Sequence, residues 1–272
     1  MSLPPVLQPI LVLFTAMAVL ALLEAVLPLR ERTVWSRRHL APNIGLTVIT
    51  VVTNVLLNVP LLIALAWSQR QGWGLFHLLD LPLWADLLGA VVVLDLAWYV
   101  THRTLHQTPW LWRLHAVHHS DPIVDVTTAI RQHPAEGIVR YVFLLAFGLV
   151  FGVSPTGFAL YRIWSALQGQ FDHANLRLPL WLDEAISWVS ASPNMHKVHH
   201  SRDARFTDTN YSSILSIWDR IFGTFMPPQR GLNVAYGLEG YDDPARQSLA
   251  GLLRLPDATV ANQGAAQTGA DA

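Results

Sequence analysis

The chain of 272 residues is 52% hydrophobic and only 14% charged, far more apolar than a soluble domain of this size, which places it in a membrane. Its net charge of -1 argues against a nucleic-acid-binding surface. The absence of cysteine excludes disulfides, thiolate metal sites and a cysteine-held iron–sulfur cluster, so electrons for any redox reaction come from another protein.

Residues 6–29 form an apolar run long enough to cross a hydrocarbon core of about 30 Å as a helix. No basic residue precedes it and Glu24 interrupts its end, which favours a membrane helix over a signal peptide. Arg30, Arg32, Arg37 and Arg38 follow and mark the cytoplasmic side, with the N-terminus outward. A second span, 44–67, tolerates Asn54, Asn58 and Pro60 by facing them to protein neighbours. Residues 68–83, flanked by Trp67 and Trp84, read as an interfacial loop. His39 and His77, each isolated, read as ordinary polar side chains.

A third span, 83–100, leads into His102 and His106 at its cytoplasmic end. Asp95 sits inside that apolar run on the face of His102, where it is either an acceptor that orients the histidine or a helix-packing hydrogen bond. Residues 107–134 are too polar to span. Pro109-Trp110-Leu-Trp112 predicts a turn and an interfacial helix bearing His115, His118 and His119, with Asp121 and Asp125 as caps, solvated loop residues or hydrogen-bond partners of a ligand imidazole. His133, before Pro134 and beside Glu136, is a candidate ligand, a hydrogen-bond partner of one, or a substrate contact.

Two apolar stretches of about 15 residues, 138–153 and 157–170, make a helical hairpin shorter than the usual span of about 20. Arg162, Gln168 and Gln170 turn its second arm toward protein or a cavity. The hairpin returns the chain to the cytoplasmic side at His173, next to Asp172 and Asn175. Residues 178–192 predict an amphipathic surface helix anchored by Trp181 and Trp188, with Asp183 and Glu184 toward water. Then come His196, His199 and His200, with Lys197 pointing to solvent or a lipid phosphate, and a basic region of Arg202, Arg205 and Arg220. Beyond about Pro244, and above all over 258–272, the composition predicts disorder.

His-x-x-His-His therefore occurs twice, at 115–119 and 196–200. Residues three and four apart share a helix face, so each cluster is an imidazole face able to bind iron, zinc, copper or nickel. The histidines exceed the three ligands of a zinc hydrolase. A divalent-metal transporter or metal-binding protein is the alternative reading, although transport sites gather intramembrane carboxylates and here only Asp95 lies deep.

The runs Asp95-Leu-Ala-Trp-Tyr-Val-Thr-His102-Arg-Thr-Leu-His106, Leu114-His115-Ala-Val-His118-His119-Ser-Asp121, Arg131-Gln-His133-Pro-Ala-Glu136, Phe171-Asp-His173-Ala-Asn175, His196-Lys-Val-His199-His200-Ser, Asn210-Tyr211 and Trp218-Asp-Arg-Ile-Phe-Gly-Thr224 resemble the fatty acid hydroxylase superfamily, or sterol desaturase family. The resemblance covers about residues 94–226. It implies an all-α integral membrane helical bundle, about three long spans plus a shorter helical hairpin, capped by a cytoplasmic histidine-rich helical region. The corresponding domains are N-terminal membrane helices at 1–83, a catalytic domain at 84–228 and a largely disordered tail at 229–272. It further implies two iron ions, replaceable by zinc in a purified sample. Their ligands would be His102, His106, His115, His118, His119, His173, His196, His199 and His200, with His133 and Asp95 as additional ligands or hydrogen-bond partners. The implied reaction uses dioxygen and a separate electron-transfer protein. It hydroxylates or desaturates a lipid or sterol-like substrate, or cleaves an ether lipid, at the cell inner membrane. Tyr99, Tyr211 and Trp164 are candidates to line the substrate channel.

Overall fold

A computed structural model describes residues 7–31, 37–79 and 81–257. Arg32 of the basic cluster and the 258–272 tail lie outside them. The described α-helices are α1 Leu7–Val26, α2 Arg37–Arg70, α3 Leu75–Leu78, α4 Leu83–Gln107, α5 Pro109–His119, α6 Pro134–Phe151, α7 Pro155–His173, α8 Leu180–Ser187, α9 Pro193–His199, α10 Ala204–Thr207, α11 Ile217–Ile221 and α12 Leu249–Leu253. Among the described residues there is no strand, only one isolated bridge between Pro28 and Leu176.

The chain is thus an all-α membrane bundle. Helices α1, α2, α4 and α6 are long and apolar enough to cross a bilayer. The hairpin arms α6 and α7 have 18 and 19 residues, longer than the apolar runs suggest. The first two turns of α6 and the last turn of α7 hold polar residues that protein, not lipid, surrounds: Glu136 and Arg140 in α6, Gln170 and Asp172 in α7 are all buried.

Helix α4 is the axis. Ala90, Val91, Leu94 and Ala97 on its buried face pack with Leu61 and Leu65 of α2, Tyr141 and Leu144 of α6 and Phe158 and Tyr161 of α7. Its 25 residues make a rod of about 37 Å, so its last turns project beyond a hydrocarbon core of about 30 Å. His102 and His106 occupy those turns. Helix α1 instead shows lipid an apolar side, including Leu22 and Val26, and its buried Glu24 accepts the amides of Val126 and Asn175.

The bundle's far end is closed by two turns in close approach. Gly152 ends α6 with φ of 73°, and a Cβ on Gly74 would fall 2.3 Å from the Gly152 backbone. Both positions need glycine. At the histidine end the 229–257 part of the expected disordered tail is folded. Val234, Tyr236, Leu238, Tyr241, Leu252 and Leu255 are buried, and Gln247 bonds Arg131 and the Ser120 carbonyl. These apolar residues follow no period because each fills a separate gap, so composition hides their packing.

Asp121 and Asp125 are buried, not solvated. His39 lies 3.0 Å from Asp125, and Asn43 donates to Asp121. The start of α2 is thereby tied to the loop that follows α5.

Candidate metal centre

Thr108 alone separates α4 from α5, and Pro109 starts α5 at the position where a missing N–H costs nothing. Helix α5 therefore folds back against α4 and sets His115 Nε2 3.1 Å from His102 Nε2. Pro193 starts α9 in the same way. The ends of α4, α5, α7 and α9 bring all nine histidines of the expected set together, every one buried. They form two groups: His102, His106, His115, His119 and His199 in one, and His118, His173, His196 and His200 in the other.

The two His-x-x-His-His runs are shared crosswise. His115 and His119, four apart, join the five-histidine group while His118 turns to the other; His196 and His200 join the four-histidine group while His199 turns to the first. A shared helix face is thus a wide face, split between two neighbouring centres.

Within each group one nitrogen or more per residue lies within 4.8 Å of the others. Ligands at about 2.1 Å on opposite sides of an ion are about 4.2 Å apart, so small inward shifts of these rings bring the donors to bonding distance. Six rings are held by their Nδ1 atoms. His102 Nδ1 is 2.8 Å from the Tyr211 carbonyl, His106 Nδ1 3.1 Å from Asp208, His115 Nδ1 3.0 Å from Glu136, His118 Nδ1 3.3 Å from the Arg131 carbonyl, His173 Nδ1 2.6 Å from Asp172, and His199 Nδ1 2.8 Å from the Thr209 carbonyl. Carbonyls and carboxylates only accept, so these Nδ1 atoms carry the proton and Nε2 presents a lone pair inward.

Those lone pairs meet one another. His173 Nε2 faces the Nε2 atoms of His118 at 3.1 Å, His196 at 3.0 Å and His200 at 3.1 Å; one lone pair cannot satisfy three neighbours. The buried Nε2 atoms of His119 and His199 have no hydrogen-bond partner among the described residues. Protonation is no remedy. Burial first, then the neighbouring imidazoles, pushes His115, His118, His119, His196 and His200 well below the ordinary histidine range, and burial with His106 does the same for His199. Neutral nitrogen lone pairs converging in a dry pocket fit metal cations.

Buried polar groups hold these rings in place. Asp95 does not bond His102; it accepts the amides of Ile214 and Leu215 and the Trp218 indole N–H. Asp219 accepts the Tyr211 and Ser212 amides. Together the two carboxylates fix the loop whose Tyr211 carbonyl orients His102. His133 belongs to neither group: it caps α6, accepting the Ala135 amide at Nδ1, with Nε2 3.3 Å from the Leu253 carbonyl. Arg131 is fully buried and donates to Val117, Asn43, Ser120 and Gln247.

Lys197 is completely buried and donates to the Ala174 and Pro193 carbonyls. Burial lowers it to about 8, opposed by Asp183, Glu24 and Asp172. Asp183, expected in water, is buried and accepts the Asn194 amides. Trp181 on this short helix and Trp188 just after it do lie exposed. Apart from the Pro193 carbonyl, the groups around Lys197 come from α1, α7 and α8 and from Ala174 just after α7, so little that is local to the sequence reveals its burial.

Glu136 and Asp208 were not read as partners of histidines. A carboxylate four residues before Arg140 in an apolar helix was an available signal for Glu136; Asp208 sits in an ordinary polar loop and gave none.

A cavity of about 120 Å³ opens against the histidines, walled by His102, His115, His118, His173, Trp98, Arg140, Arg162 and Gly169 among others. Tyr99 and Tyr211 are packed edge to face away from it, and Trp164 is 43% exposed. The channel candidates read from the sequence therefore do not form its wall.

The chain is 34% identical over 172 residues to an alkylglycerol monooxygenase of Danio rerio, a match covering 61% of this chain and 36% of the relative. It is 29% identical over 166 residues to the ornithine lipid hydroxylase OlsE of Rhizobium tropici, covering 58% and 47%. With the very-long-chain aldehyde decarbonylase GL1-9 of Oryza sativa subsp. japonica it shares 33% identity over 145 residues, covering 52% and 55%. The chain thus spans between about a third and just over half the length of these relatives. No solved structure matches it. The model of the fatty acid hydroxylase family matches residues 87–224, half of the chain and all nine clustered histidines, and the chain belongs to that family.

Proposed function

We propose that the protein is a membrane-bound di-iron oxygenase that hydroxylates or desaturates a lipid, with dioxygen as oxidant and a separate protein as electron donor. One observation carries this reading: two adjoining buried sets of imidazoles, five and four, whose Nε2 lone pairs converge while six Nδ1 protons are held outward. All-nitrogen sites of that size suit two iron ions, although zinc readily occupies them during purification. Bound iron supplies dioxygen activation strong enough for a C–H bond. Hydroxylation is balanced by one dioxygen, two electrons and two protons per C–H oxidised, with one oxygen atom leaving as water.

The chain's own residues bind, orient and exclude water. Carbonyls of Tyr211, Thr209 and Arg131 and carboxylates of Glu136, Asp208 and Asp172 fix ring tautomers. The cavity beside them receives the substrate. Leu13, Val51 and Ile130 line both this cavity and a smaller apolar one between α1, α2 and α7. That shared seam is a lateral entry from the bilayer. The histidines lie on the cytoplasmic side of the inner membrane in this reading, next to Arg30 and Arg38. The names of the relatives and the family favour the oxygenase over a metal transporter.

The test is lipid profiling of cells with the wild-type protein and with His118→Ala or His199→Ala, one from each group. Oxidised lipids that need air and vanish in both variants support the proposal. Unchanged lipids, together with zinc uptake by proteoliposomes, overturn it.

A further inference from the structure

We infer that the substrate carries an anionic group and that Arg162 is the residue that selects it, an inference that rests on the cavity being the substrate site. Arg140 and Arg162 both wall this cavity. Arg140 is paired with Glu136 through Oε1, the same oxygen that serves His115, and Arg140 Nε has no partner although the residue is only 8% exposed. Asp172, the acid on the wall, accepts from His173. Arg162 makes no ion pair or hydrogen bond among the described residues; its guanidinium lies 5.5 Å from the centre of the Tyr141 ring. Arg162 therefore presents N–H donors that no carboxylate among the described residues meets, and the unpartnered Glu136 Oε2 does not belong to this wall.

An alkyl chain laid against Arg162 would strip water from the guanidinium and return nothing. A phosphate or carboxylate meets its planar fork with two charge-assisted hydrogen bonds. Arg162, Gly169 and His173 recur along one face of α7. Gly169 keeps the path between them open, since a Cβ there would meet no atom within 4 Å. Anion and histidines thus lie on one continuous wall, about 16 Å apart along the helix axis.

The experiment measures binding, not turnover. Full-length protein in detergent displaces a fluorescent lipid in competition with phosphatidic acid, phosphatidylcholine and diacylglycerol of identical chains, and with the free fatty acid as the carboxylate arm. Phosphatidic acid or the fatty acid should bind about tenfold or more tighter than diacylglycerol. That preference should collapse in Arg162→Gln and persist in weakened form in Arg162→Lys, which keeps the charge but not the fork. Arg162→Met is the second neutral variant should Arg162→Gln fail to fold. Equal binding of charged and neutral lipids by the wild type overturns the inference, as does an unchanged preference in either neutral variant. Iron-loaded protein with a chemical reductant separates this from the oxygenase proposal. Selective binding without oxidation of any lipid supports the anion site and sinks the oxygenase; equal oxidation of neutral and anionic lipids sinks the anion site and leaves the oxygenase.

Discussion

Replacing Glu136 with Gln separates two tasks that one carboxylate performs. Glu136 accepts from His115 Nδ1 at 3.0 Å and is paired with the guanidinium of Arg140, all of it buried. Glutamine keeps an acceptor for His115 and nearly the same volume, so only the charge is lost. Arg140 is then a buried cation without its anion, which costs about 3–5 kcal/mol of stability. The His115 imidazole also becomes a weaker donor, and loss of such a partner lowers metal affinity by about 10–100-fold, or about 1.4–2.8 kcal/mol. The double variant Glu136→Gln/Arg140→Met removes the stranded cation as well. It should recover most of the stability but none of the affinity, because the two costs sit on different partners. Thermal unfolding in one detergent reads the first quantity and chelator competition the second. The effect should be confined to the ion of the five-histidine group, since His118 and His173 are held by the Arg131 carbonyl and by Asp172. Equal weakening of both ions, or intact affinity in Glu136→Gln, would refute this division of labour.

Asp219→Ala leaves the Tyr211 and Ser212 amides without their acceptor, at about 1–3 kcal/mol each in stability; a variant that unfolds at the wild-type temperature would contradict the assigned role. Gly169→Phe fills the cavity wall, so lipid binding should fall at least about tenfold with iron content unchanged. Lost iron would show that the position supports the centre, not the cavity. For the metal-free protein the sign of the pH dependence follows from the depressed histidines. Below about pH 6.5 the unfolded chain takes up protons that the folded cluster refuses, so stability falls as pH falls, by about 1.4 kcal/mol per pH unit for each such histidine. Calorimetry between pH 7 and pH 5 checks this, and a melting temperature that rises on acidification would contradict it.

Much of the site was legible because helical spacing is a local property: His102 with His106, and each His-x-x-His-His run, share a face whatever the tertiary structure does. The return of His173 to the other clusters was equally readable, because a hairpin of two similar arms ends near where it begins whether it crosses or only dips in. The division into five and four was not, because it depends on how α5 folds back after Thr108 and on which side of each wide face meets α4 or α7. Burial of Lys197, Asp121 and Asp183 was hidden for a related reason: the charged and amide groups that make it tolerable come largely from distant parts of the chain, Glu24, Asp172 and Asp183 around Lys197, Asn43 beside Asp121 and Asn194 beside Asp183. For His133 the sequence left three roles open, and the structure spends its nitrogens on a helix cap and a backbone carbonyl. The tail to Asp257 escaped notice because scattered apolar residues filling separate gaps leave no period to detect.

Iron stoichiometry under strictly anaerobic reconstitution tests the central claim most directly, measured by elemental analysis on wild type, His119→Ala and His196→Ala. Two irons per chain should bind to the wild type, with tight retention of one in each variant, because the two residues belong to different groups. A single iron per wild-type chain, or loss of both from either variant, would contradict two separate nitrogen-lined centres.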